Sequence, residues 1–390
     1  MPDLAIPATL YRGGTSRGLL MLDANVPYSR DVLAGILLRA FGSPDARQID
    51  GVGGATSLTS KALIVGPERT ADTDVRMLFA QVGVAAPTVD WGGNCGNMTA
   101  AVGPFAIDAG LVEAVEPVTV VRIRSANTGV LVRAHVRVRD GRVVTEGDYA
   151  IAGVPGTSSR IDLEWVTPGG STTGRLLPTG RRRDTLVLSD GRRIDVSIVD
   201  AANPIVFCTA QAIGLTGLEL PTALESRTDA MATLEEIRSI AAELLAIVPD
   251  RGVATRVSPG LPKVGFVAPR ATYLTTGGET LPAHSHDLQA RLLSMQTAHR
   301  SYAGAASICT AVAAQIPGTV VHESAADSAL NPDYVRIGHP AGIMDVQVTM
   351  RGLDSDPEVL SATVSRTARR LMSGTVWVPR HLVPEPHRQA

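Results

Sequence analysis

Two apolar helices, one in each half of the chain, constrain the fold more than any other feature of this sequence. Residues 99–109 and 303–314 consist mostly of Ala, Val and other small or apolar residues, and both have helical character. A helix that is apolar all round has no face to present to water, so it must be buried on every side. A curved sheet wrapped around each helix would bury it, and we predict one such unit in each half.

The elements around these helices occur in the same order twice. In each half, a strand opened by a lysine, Lys61 or Lys263, precedes the apolar helix. A strand that breaks at a small polar loop and then resumes follows the helix, at 121–129 and at 335–342. A long internal duplication is the economical explanation. The predicted fold class is therefore α+β, with two similar domains, each a curved, barrel-like sheet around a central helix.

The length of the chain also favours two domains. Its 390 residues are 44% hydrophobic and only 4% aromatic, so two cores built mainly from Val, Leu, Ile and Ala are expected. The stretch 166–183 is rich in Gly, Thr, Pro and Arg, and we place the change of domain there. This gives domains 1–183 and 184–390, with the option that the last strand packs back on the first domain. A cleft between two such domains would be a favoured ligand site.

Charge and cysteine content exclude several classes of protein. The net charge of −2 lacks the basic excess of nucleic-acid-binding domains. No apolar stretch is long enough to span a bilayer, and the N-terminal residues do not resemble a signal peptide. Cys95, Cys208 and Cys309 cannot all pair and do not have metal-binding spacing. We expect a cytoplasmic protein with reduced thiols, no nucleic-acid or membrane partner and no bound metal.

Cys95 is the strongest candidate for chemistry. It lies in the glycine- and asparagine-rich segment 92–98, which leads directly into the helix at 99–109. The first amides of a helix are unpaired donors, and the helix dipole is positive there. We expect this position to lower the pKa of the thiol and to hold a substrate carboxylate. Most cysteines are buried structural residues, but the flanking residues argue against that role here.

Lys61 is the second candidate. It follows the Gly/Ser/Thr-rich run 53–60 and opens an apolar strand. Most lysines reach solvent, but one at the mouth of a cleft would lose solvent, and its lowered pKa would let it act as a base. The run lacks the GK[ST] ending of a phosphate-binding loop, so we do not expect ATP binding there.

Two further groups of polar residues could bind a ligand. Arg12, Ser16 and Arg17 lie in a glycine-rich turn, where an arginine can hold a carboxylate or can simply face solvent. The histidines of interest are His299 and His339, of which His339 lies in an irregular loop. For His339, a turn histidine bonded to backbone is favoured over a catalytic one.

Together these motifs resemble the 2-methylaconitate cis-trans isomerase family, whose members share the diaminopimelate epimerase-like fold. The resemblance spans nearly the whole chain and rests on residues 11–18, 48–57, 59–61, 89–97, 202–204 and 338–342. It implies an isomerase that moves protons without a cofactor and takes a small-molecule tricarboxylate. It leaves the oligomeric state open, and a homodimer is one option.

The resemblance also implies roles for individual residues. Lys61 and Cys95 match the proposed catalytic pair of the family, and Lys263 and Ser294 match second-domain site residues through shorter motifs. The other residues expected to bind substrate are Ser16, Arg17, Thr59, Ser60, Asn94, Gly96, Asn97, Met98 and His339.

The second half lacks a thiol at the start of its apolar helix. Epimerases of the wider superfamily use two cysteines, one from each half, but this helix begins near Ala303, and Cys309 lies further along it. A two-thiol epimerase is therefore not expected. The pair of Lys61 and Cys95 would supply the two proton-transfer groups instead.

The predicted activity is isomerisation of an unsaturated tricarboxylate by removal and return of a proton. The first choice is 2-methylaconitate cis-trans isomerase, and the alternatives are 4-oxalomesaconate tautomerase and aconitate or methylitaconate delta-isomerase. Two other classes are a non-catalytic carboxylate-binding protein and a thiol-dependent amidohydrolase. The first would not need a thiol, and the second would need a histidine partner for Cys95, which no first-half motif supplies.

Overall fold

The protein is a mixed α and β structure in which long strands surround two buried helices. The computed structural model describes residues 3–26, 28–325, 330–379 and 381. The first half contains, in chain order, β1 (Leu4–Gly13), β2 (Ser16–Leu22), α1 (Arg30–Phe41), β3 (Lys61–Pro67), β4 (Val75–Val82), β5 (Val89–Asp90), α2 (Gly96–Asp108), β6 (Val118–Ser125), β7 (Leu131–Arg139), β8 (Arg142–Val143) and β9 (Ile161–Val166).

The second half is longer and has more short elements. In chain order it contains β10 (Asp184–Val187), β11 (Arg193–Ala201), β12 (Asn203–Thr209), α3 (Pro221–Ser226), α4 (Thr228–Leu244), α5 (Ala254–Val257), β13 (Lys263–Pro269), β14 (Tyr273–Leu274), β15 (Thr280–Leu281), β16 (Leu288–Ser294), β17 (Thr297–Ala298), α6 (Gly304–Gln315), α7 (Val320–Ser324), β18 (Tyr334–His339), β19 (Gly342–Arg351), β20 (Glu358–Arg366) and β21 (Ala368–Val378).

The two apolar helices, α2 and α6, lie inside the curved sheet. Every residue from Gly96 to Ile107 and from Gly304 to Ala314 is buried. Strands β1, β2, β6 and β7 contact α2, whereas β11, β12, β18, β19 and β20 contact α6. The side chains of both helices belong to one apolar core. The predicted α+β class, with a sheet around a central helix in each half, is confirmed.

The strands of the two halves pair in the same order. In the first half, β1–β2 is antiparallel, β2–β3 parallel, β3–β4 antiparallel, β4–β6 parallel and β6–β7 antiparallel. In the second half, the pairs β11–β12, β12–β13, β13–β16, β16–β18 and β18–β19 repeat these directions. This shared order supports an internal duplication, which stays a prediction.

An amphipathic helix covers the outer face of the sheet in each half. The buried side of α1 includes Leu33 and Leu37, which pack in a core of their own with residues of β1–β4. The buried side of α4 includes Leu234 and Ile237, which pack with residues of β11–β13. With these helices outside the sheet, α2 and α6 fill its interior, where Val320 and Val321 of α7 join the same core.

The C-terminal strands join the two halves. β20 pairs with β19 of the second half and with β9 of the first. β21 then pairs with β1 from Leu4↔Val378 to Gly13↔Ala368. Between these strands, the carbonyl oxygen of Thr367 accepts hydrogen bonds from Gly14 N and Arg12 Nη1, both at 2.9 Å. The crossover segment 365–368 therefore rests on the turn between β1 and β2.

The predicted linker 166–183 packs largely on the second half. The Asp200 carboxylate accepts hydrogen bonds from the amides of Thr172 and Thr173 at 2.8 and 2.7 Å. Arg182 donates to the carbonyl oxygen of Pro317 at 2.9 Å. These contacts tie the stretch to the second half ahead of residue 184. The domain division at 183/184 stays a prediction.

Candidate active site

The starts of α2 and α6 meet at the centre of the molecule. Gly96 lies so close to α6 that a β-carbon on it would be 2.6 Å from the backbone nitrogen of Ala305, an approach that only glycine permits. The residues that precede the two helices, Cys95 and Ala303, both line a cavity between the halves. Two positive helix ends therefore face one space, which favours an anionic ligand there.

Both halves contribute side chains to this cavity. Its polar lining includes Ser16, Ser57, Lys61, Gln81, Asp90, Asn94, Cys95, Asn97, Lys263, Ser294 and His299. A wider cleft of about 620 Å³ adjoins the cavity, since Ser57, Leu58, Gln81 and Met295 line both. This cleft gives a path from the surface to the cavity.

Lys61 lies in a buried and partly apolar setting. It is 7% exposed, its Nζ donates a hydrogen bond to Gln81 Oε1, and the amine lies 5.4 Å from the centre of the Phe79 ring. Burial lowers the pKa of Lys61, while the charges of Cys95 and Asp90 act in the opposite direction. Lowering of this pKa increases the neutral fraction of the amine, which is the form that can accept a proton.

Gln81 fixes the orientation of the Lys61 amine. Its Nε2 donates to the carbonyl oxygens of Ser57 and Ser60 at 3.1 and 3.0 Å, so its oxygen must face Lys61. The two residues face each other because β3 and β4 pair in the register Lys61↔Gln81. One N–H of the amine is thus engaged, and its lone pair stays available to a ligand.

Lys263 supplies a second amine to the cavity. Its Nζ lies 3.3 Å from the carbonyl oxygen of Gly260 and 3.5 Å from Ser294 Oγ. Burial lowers the pKa of Lys263 to about 8, the charge of Asp90 opposes this, and that of Lys61 adds to it. Both amines are therefore easier to deprotonate than an ordinary lysine.

Lys61 and Lys263 are the only lysines in the sequence. The other basic residues are arginines and eight histidines. A protein that uses arginine everywhere else and keeps lysine at two positions in one cavity needs an amine at those positions. Arginine cannot replace it, because the guanidinium does not lose its proton in proteins. This compositional signal was present in the sequence but was not used to predict the site.

Cys95 caps the start of α2. Its amide donates to Asn94 Oδ1 at 3.2 Å, and its carbonyl oxygen accepts from the amide and from the hydroxyl of Thr99, both at 2.9 Å. The residue is partly exposed, whereas Cys208 and Cys309 are buried. Burial raises the pKa of the Cys309 thiol, which donates to a backbone oxygen in the core. Among the described residues, Cys95 is the thiol that can meet a ligand in the cavity.

His299 is a neutral hydrogen-bond donor. Burial and the charge of Lys61 lower the pKa of His299 to about 3. Its Nδ1 accepts a hydrogen bond from the Ser301 amide at 3.2 Å, so the proton of the neutral ring is on Nε2. The residue thus brings an N–H to the cavity without adding a charge.

Two polar atoms of the lining lack a partner. Ser16 Oγ and Asn94 Nδ2 are buried and form no hydrogen bond with any described residue. Buried polar atoms are costly when unpaired, so these two are suited to the oxygen atoms of a ligand. The Asn203 side chain clamps the backbone of Asn94 through two hydrogen bonds. The Asn94 backbone amide donates to Asn203 Oδ1 at 3.1 Å, and Asn203 Nδ2 donates to the Asn94 carbonyl oxygen at 3.2 Å.

The structure brings part of the predicted site together. The predicted residues that line the cavity are Ser16, Lys61, Asn94, Cys95, Asn97, Lys263 and Ser294. Gly96 does not line it but permits the contact of α2 with α6. Met98 is fully buried in the apolar core. His339 is also fully buried, with its Nδ1 accepting from the Ala341 amide at 3.2 Å and its ring against Tyr302.

The loop and turn residues predicted to bind substrate face other protein groups. Thr59 Oγ1 lies 2.9 Å from Thr56 Oγ1. Ser60 Oγ donates to Gln48 Oε1 at 2.8 Å. The Arg17 guanidinium lies against Gly54. For these three, and for Gly96, Met98 and His339, a role as substrate ligand stays a prediction.

Sequence reasoning missed four residues that shape the site. Gln81 and Phe79 carry no motif, and only the strand register shows that they surround Lys61. Asn203 belongs to a motif that was noted for the resemblance, without a role. The sequence predicts His339 as the ligand histidine, whereas His299 lines the cavity, because the sequence does not show which of the two faces it.

Known proteins resemble this chain over nearly its whole length. The profile of the PrpF protein family matches residues 3–379. The 3-methylitaconate isomerase of Eubacterium barkeri is 43% identical over 97% of this chain and 98% of its own, and the 2-methyl-aconitate isomerase of Shewanella oneidensis is 38% identical over the same shares. A crystal structure of methylitaconate-delta-isomerase matches with a TM-score of 0.78 and 41% identity over 100% of both chains. Among the described residues, no helix is long and apolar enough to cross a membrane.

Proposed function

Since this chain belongs to the PrpF family and is an isomerase, we propose that it moves a proton within an unsaturated tricarboxylate, and that 2-methylaconitate is its substrate. The observation that carries this proposal is the presence in one cavity of a buried amine, Lys61, and the thiol of Cys95, the N-cap residue of α2. Proton transfer between two carbons of an allylic system requires a base and an acid, and these two groups can serve as both.

Lys61 takes the proton in this proposal. In its neutral form the amine accepts a proton from a carbon that lies next to a double bond and a carboxylate: the C–H bond breaks and an N–H bond forms. Gln81 holds the amine by one N–H, and the Phe79 ring lies beside it, with its centre 5.4 Å from the amine. The electron pair left on carbon spreads over the double bond and the carboxylate.

Cys95 returns the proton. Its thiol donates to a carbon of the same delocalised anion, so an S–H bond breaks and a C–H bond forms. A proton then passes from the Lys61 ammonium to the thiolate within the cavity, which resets both groups. Rotation in the anion before the proton returns gives the cis-trans isomer, whereas return to a different carbon shifts the double bond.

The rest of the cavity stabilises the negative charge of the ligand. The starts of α2 and α6 and the Lys263 amine suit carboxylates, and the Nε2–H of His299 suits the oxygen on which charge develops. Ser16 Oγ and Asn94 Nδ2 gain the partners that they otherwise lack. This number of donors and cations favours a ligand with three carboxylates.

A second substrate deserves the same test. The 3-methylitaconate isomerase is 43% identical to this chain, against 38% for the 2-methyl-aconitate isomerase. Lys61 and Cys95 would also shift the double bond of 3-methylitaconate, since that reaction removes a proton next to a carboxylate and returns one to the allylic system. The difference between the two activities lies in which carbon receives the proton.

No cofactor takes part in the proposed reaction, because every step is a proton transfer between Lys61, Cys95 and the ligand. Dialysis against EDTA should therefore leave the rate unchanged. We also keep the cytoplasmic location as part of the proposal, which the three free cysteines support. Cell fractionation with an antibody against the chain would check it.

The decisive experiment follows hydrogen exchange and isomer formation separately. Each acid is incubated with enzyme in D₂O, and NMR reports deuterium uptake and product. We expect Lys61→Met to abolish both, and Cys95→Ala to abolish the product while Lys61 still exchanges the substrate proton. Cys208→Ala, which alters a buried thiol outside the cavity, is the matched control and should behave as wild type. A wild-type enzyme that leaves both acids unchanged, or a fully active Lys61→Met variant, contradicts the proposal.

A further inference from the structure

Arg366 is a buried guanidinium that the mechanism above does not use. It ends β20, is 4% exposed, and forms no hydrogen bond or ion pair with a carboxylate of any described residue. Its Nε donates to Asn97 Oδ1 at 3.0 Å, its Nη1 donates to the Ser365 carbonyl at 2.8 Å, and its Nη2 contacts Met344 Sδ. Burial of a cation without a counter-ion is unfavourable, so stability of the fold does not explain its presence.

Asn97 connects this guanidinium to the cavity. It is the second residue of α2, is 1% exposed, and lines the cavity. Its Nδ2 donates to Thr15 Oγ1 at 3.0 Å, so both ends of the amide are engaged. An arginine can only donate. The contact with Arg366 therefore requires the side-chain oxygen of Asn97 to face the arginine. The NH₂ group of Asn97 then faces the other way, where one N–H bonds to Thr15 and the second can donate to a ligand.

The contacts continue from Asn97 across to the second half. Thr15 Oγ1 lies 2.9 Å from Ser301 Oγ, and the Ser301 amide donates to Nδ1 of His299. Hydrogen bonds thus run from the crossover segment 365–368, past the start of α2, to the Ser301 hydroxyl, and the backbone of the same residue bonds to the neutral histidine. The orientation of the Asn97 amide is set at the arginine end, because a guanidinium has no acceptor.

We propose that Arg366 is a positioning residue of the isomerase: it holds the Asn97 amide as a hydrogen-bond donor to a substrate carboxylate. Burial lowers the pKa of Arg366 to about 10, so the guanidinium is still charged at neutral pH. The inference rests on the proposed function, because it assumes that a carboxylate occupies the cavity. It adds a residue from the crossover segment, which carries no motif, to the machinery of the site.

The test compares two buried arginines. Arg366→Met removes the donor, and Arg291→Met is the matched control, since Arg291 is 1% exposed and bonds to Gln289 and to backbone oxygens away from the cavity. Loss of a charge-assisted hydrogen bond should raise the KM of Arg366→Met about tenfold or more, with a smaller change in kcat. Binding of tricarballylate, a saturated tricarboxylate that cannot isomerise, should weaken by a similar factor. Arg291→Met should change KM and tricarballylate affinity less than threefold, although we expect the Tm of both variants to fall.

A double-mutant cycle shows whether Arg366 acts through Asn97. Asn97→Ala removes the acceptor, so adding Arg366→Met to it should change KM and tricarballylate affinity by less than twofold. Effects that multiply would overturn the inference. If Arg366→Met does not fold, Arg366→Lys keeps the charge with fewer donors, and an intermediate KM is expected; a KM equal to wild type would overturn the inference.

The outcomes for the two proposals are distinguishable. A wild-type enzyme that converts neither acid contradicts the proposed function, whereas the tricarballylate measurements still decide the role of Arg366. An active wild type with an unchanged KM and unchanged tricarballylate affinity in Arg366→Met contradicts the positioning role alone.

Discussion

The ammonium group of Lys263 should lose its proton far more readily than that of an ordinary lysine. Burial lowers the pKa of this group from 10.5 to about 8, and the charge of Lys61 acts in the same direction. At pH 7.5 about a quarter of Lys263 would then be neutral, against about a thousandth of an unperturbed lysine. A neutral fraction of this size makes the charge of the cavity depend on pH near neutrality.

The chain is well suited to a direct measurement, because it has two lysines. Protein labelled with ¹⁵N-lysine should give two Nζ resonances, and the Lys61→Met and Lys263→Met variants assign them. We expect the Lys263 resonance to titrate near pH 8 and that of Lys61 below the range of an ordinary lysine. If both midpoints lie above about pH 10, close to the unperturbed value, then burial does not control these amines and the role of Lys61 as a base is refuted.

The same shift makes the stability of the fold depend on pH. Between pH 8 and pH 10.5 the unfolded chain binds more protons at Lys263 than the folded chain does. The contribution of Lys263 to the free energy of unfolding therefore rises with pH over this window. At 1.36 kcal/mol for each pKa unit, the contribution of this group is at most about 3 kcal/mol, and less because the residue is partly exposed. Lys263→Met should remove this part of the rise in urea unfolding series, and an unchanged pH slope would contradict the reasoning.

Three other substitutions test the geometry of the site. Gly96→Ala should lower the free energy of unfolding by about 3 kcal/mol, because its β-carbon would meet the Ala305 nitrogen. The control Gly374→Ala should leave the free energy of unfolding unchanged, because that position has open space around it. Equal thermal unfolding curves for the two variants would contradict the close approach of the helices. Asn203→Ala should cost about 2 kcal/mol and most of the activity, since it releases the Asn94 backbone; normal turnover would show that the clamp is dispensable. His299→Asn should lower kcat about tenfold or more, because it removes the donor to the developing charge. The pKa of His299 is about 3, so the wild-type pH profile of the rate should show no histidine step between pH 5 and 8. A step in this range that disappears in His299→Asn would contradict the neutral assignment.

Local patterns in the sequence were sufficient for the main elements of the fold and for the start of α2. The apolar composition of α2 and α6 predicts their burial because a helix without a polar face has no other stable place. The Gly- and Asn-rich composition of segment 92–98 predicts a turn into α2 with Cys95 at its start for a similarly local reason. In these cases the deciding interaction is short-range.

The parts that could not be predicted depend on long-range register. Gln81 faces Lys61 because β3 and β4 pair at that position, and no motif marks the residue. Arg366 reaches Asn97 because β20 ends beside the start of α2, although 269 residues separate the two in sequence. The choice between His299 and His339 has the same cause, since His299 directly follows β17 and His339 ends β18, and the packing of neighbouring strands decides which of them faces the cavity.

The first and last strands of this fold lie side by side, although β1 is synthesised long before β21. Until the C-terminal strands emerge, a nascent first half would expose one open strand edge at β1 and another at β9, which later takes β20 as its neighbour. Open edges of this kind invite pairing with other chains, and contacts so distant in sequence form late in folding. The two halves therefore share one folding event despite their repeated architecture. The N-terminal sheet, which carries Lys61 and surrounds the helix that begins after Cys95, is completed last by a segment made at the other end of synthesis.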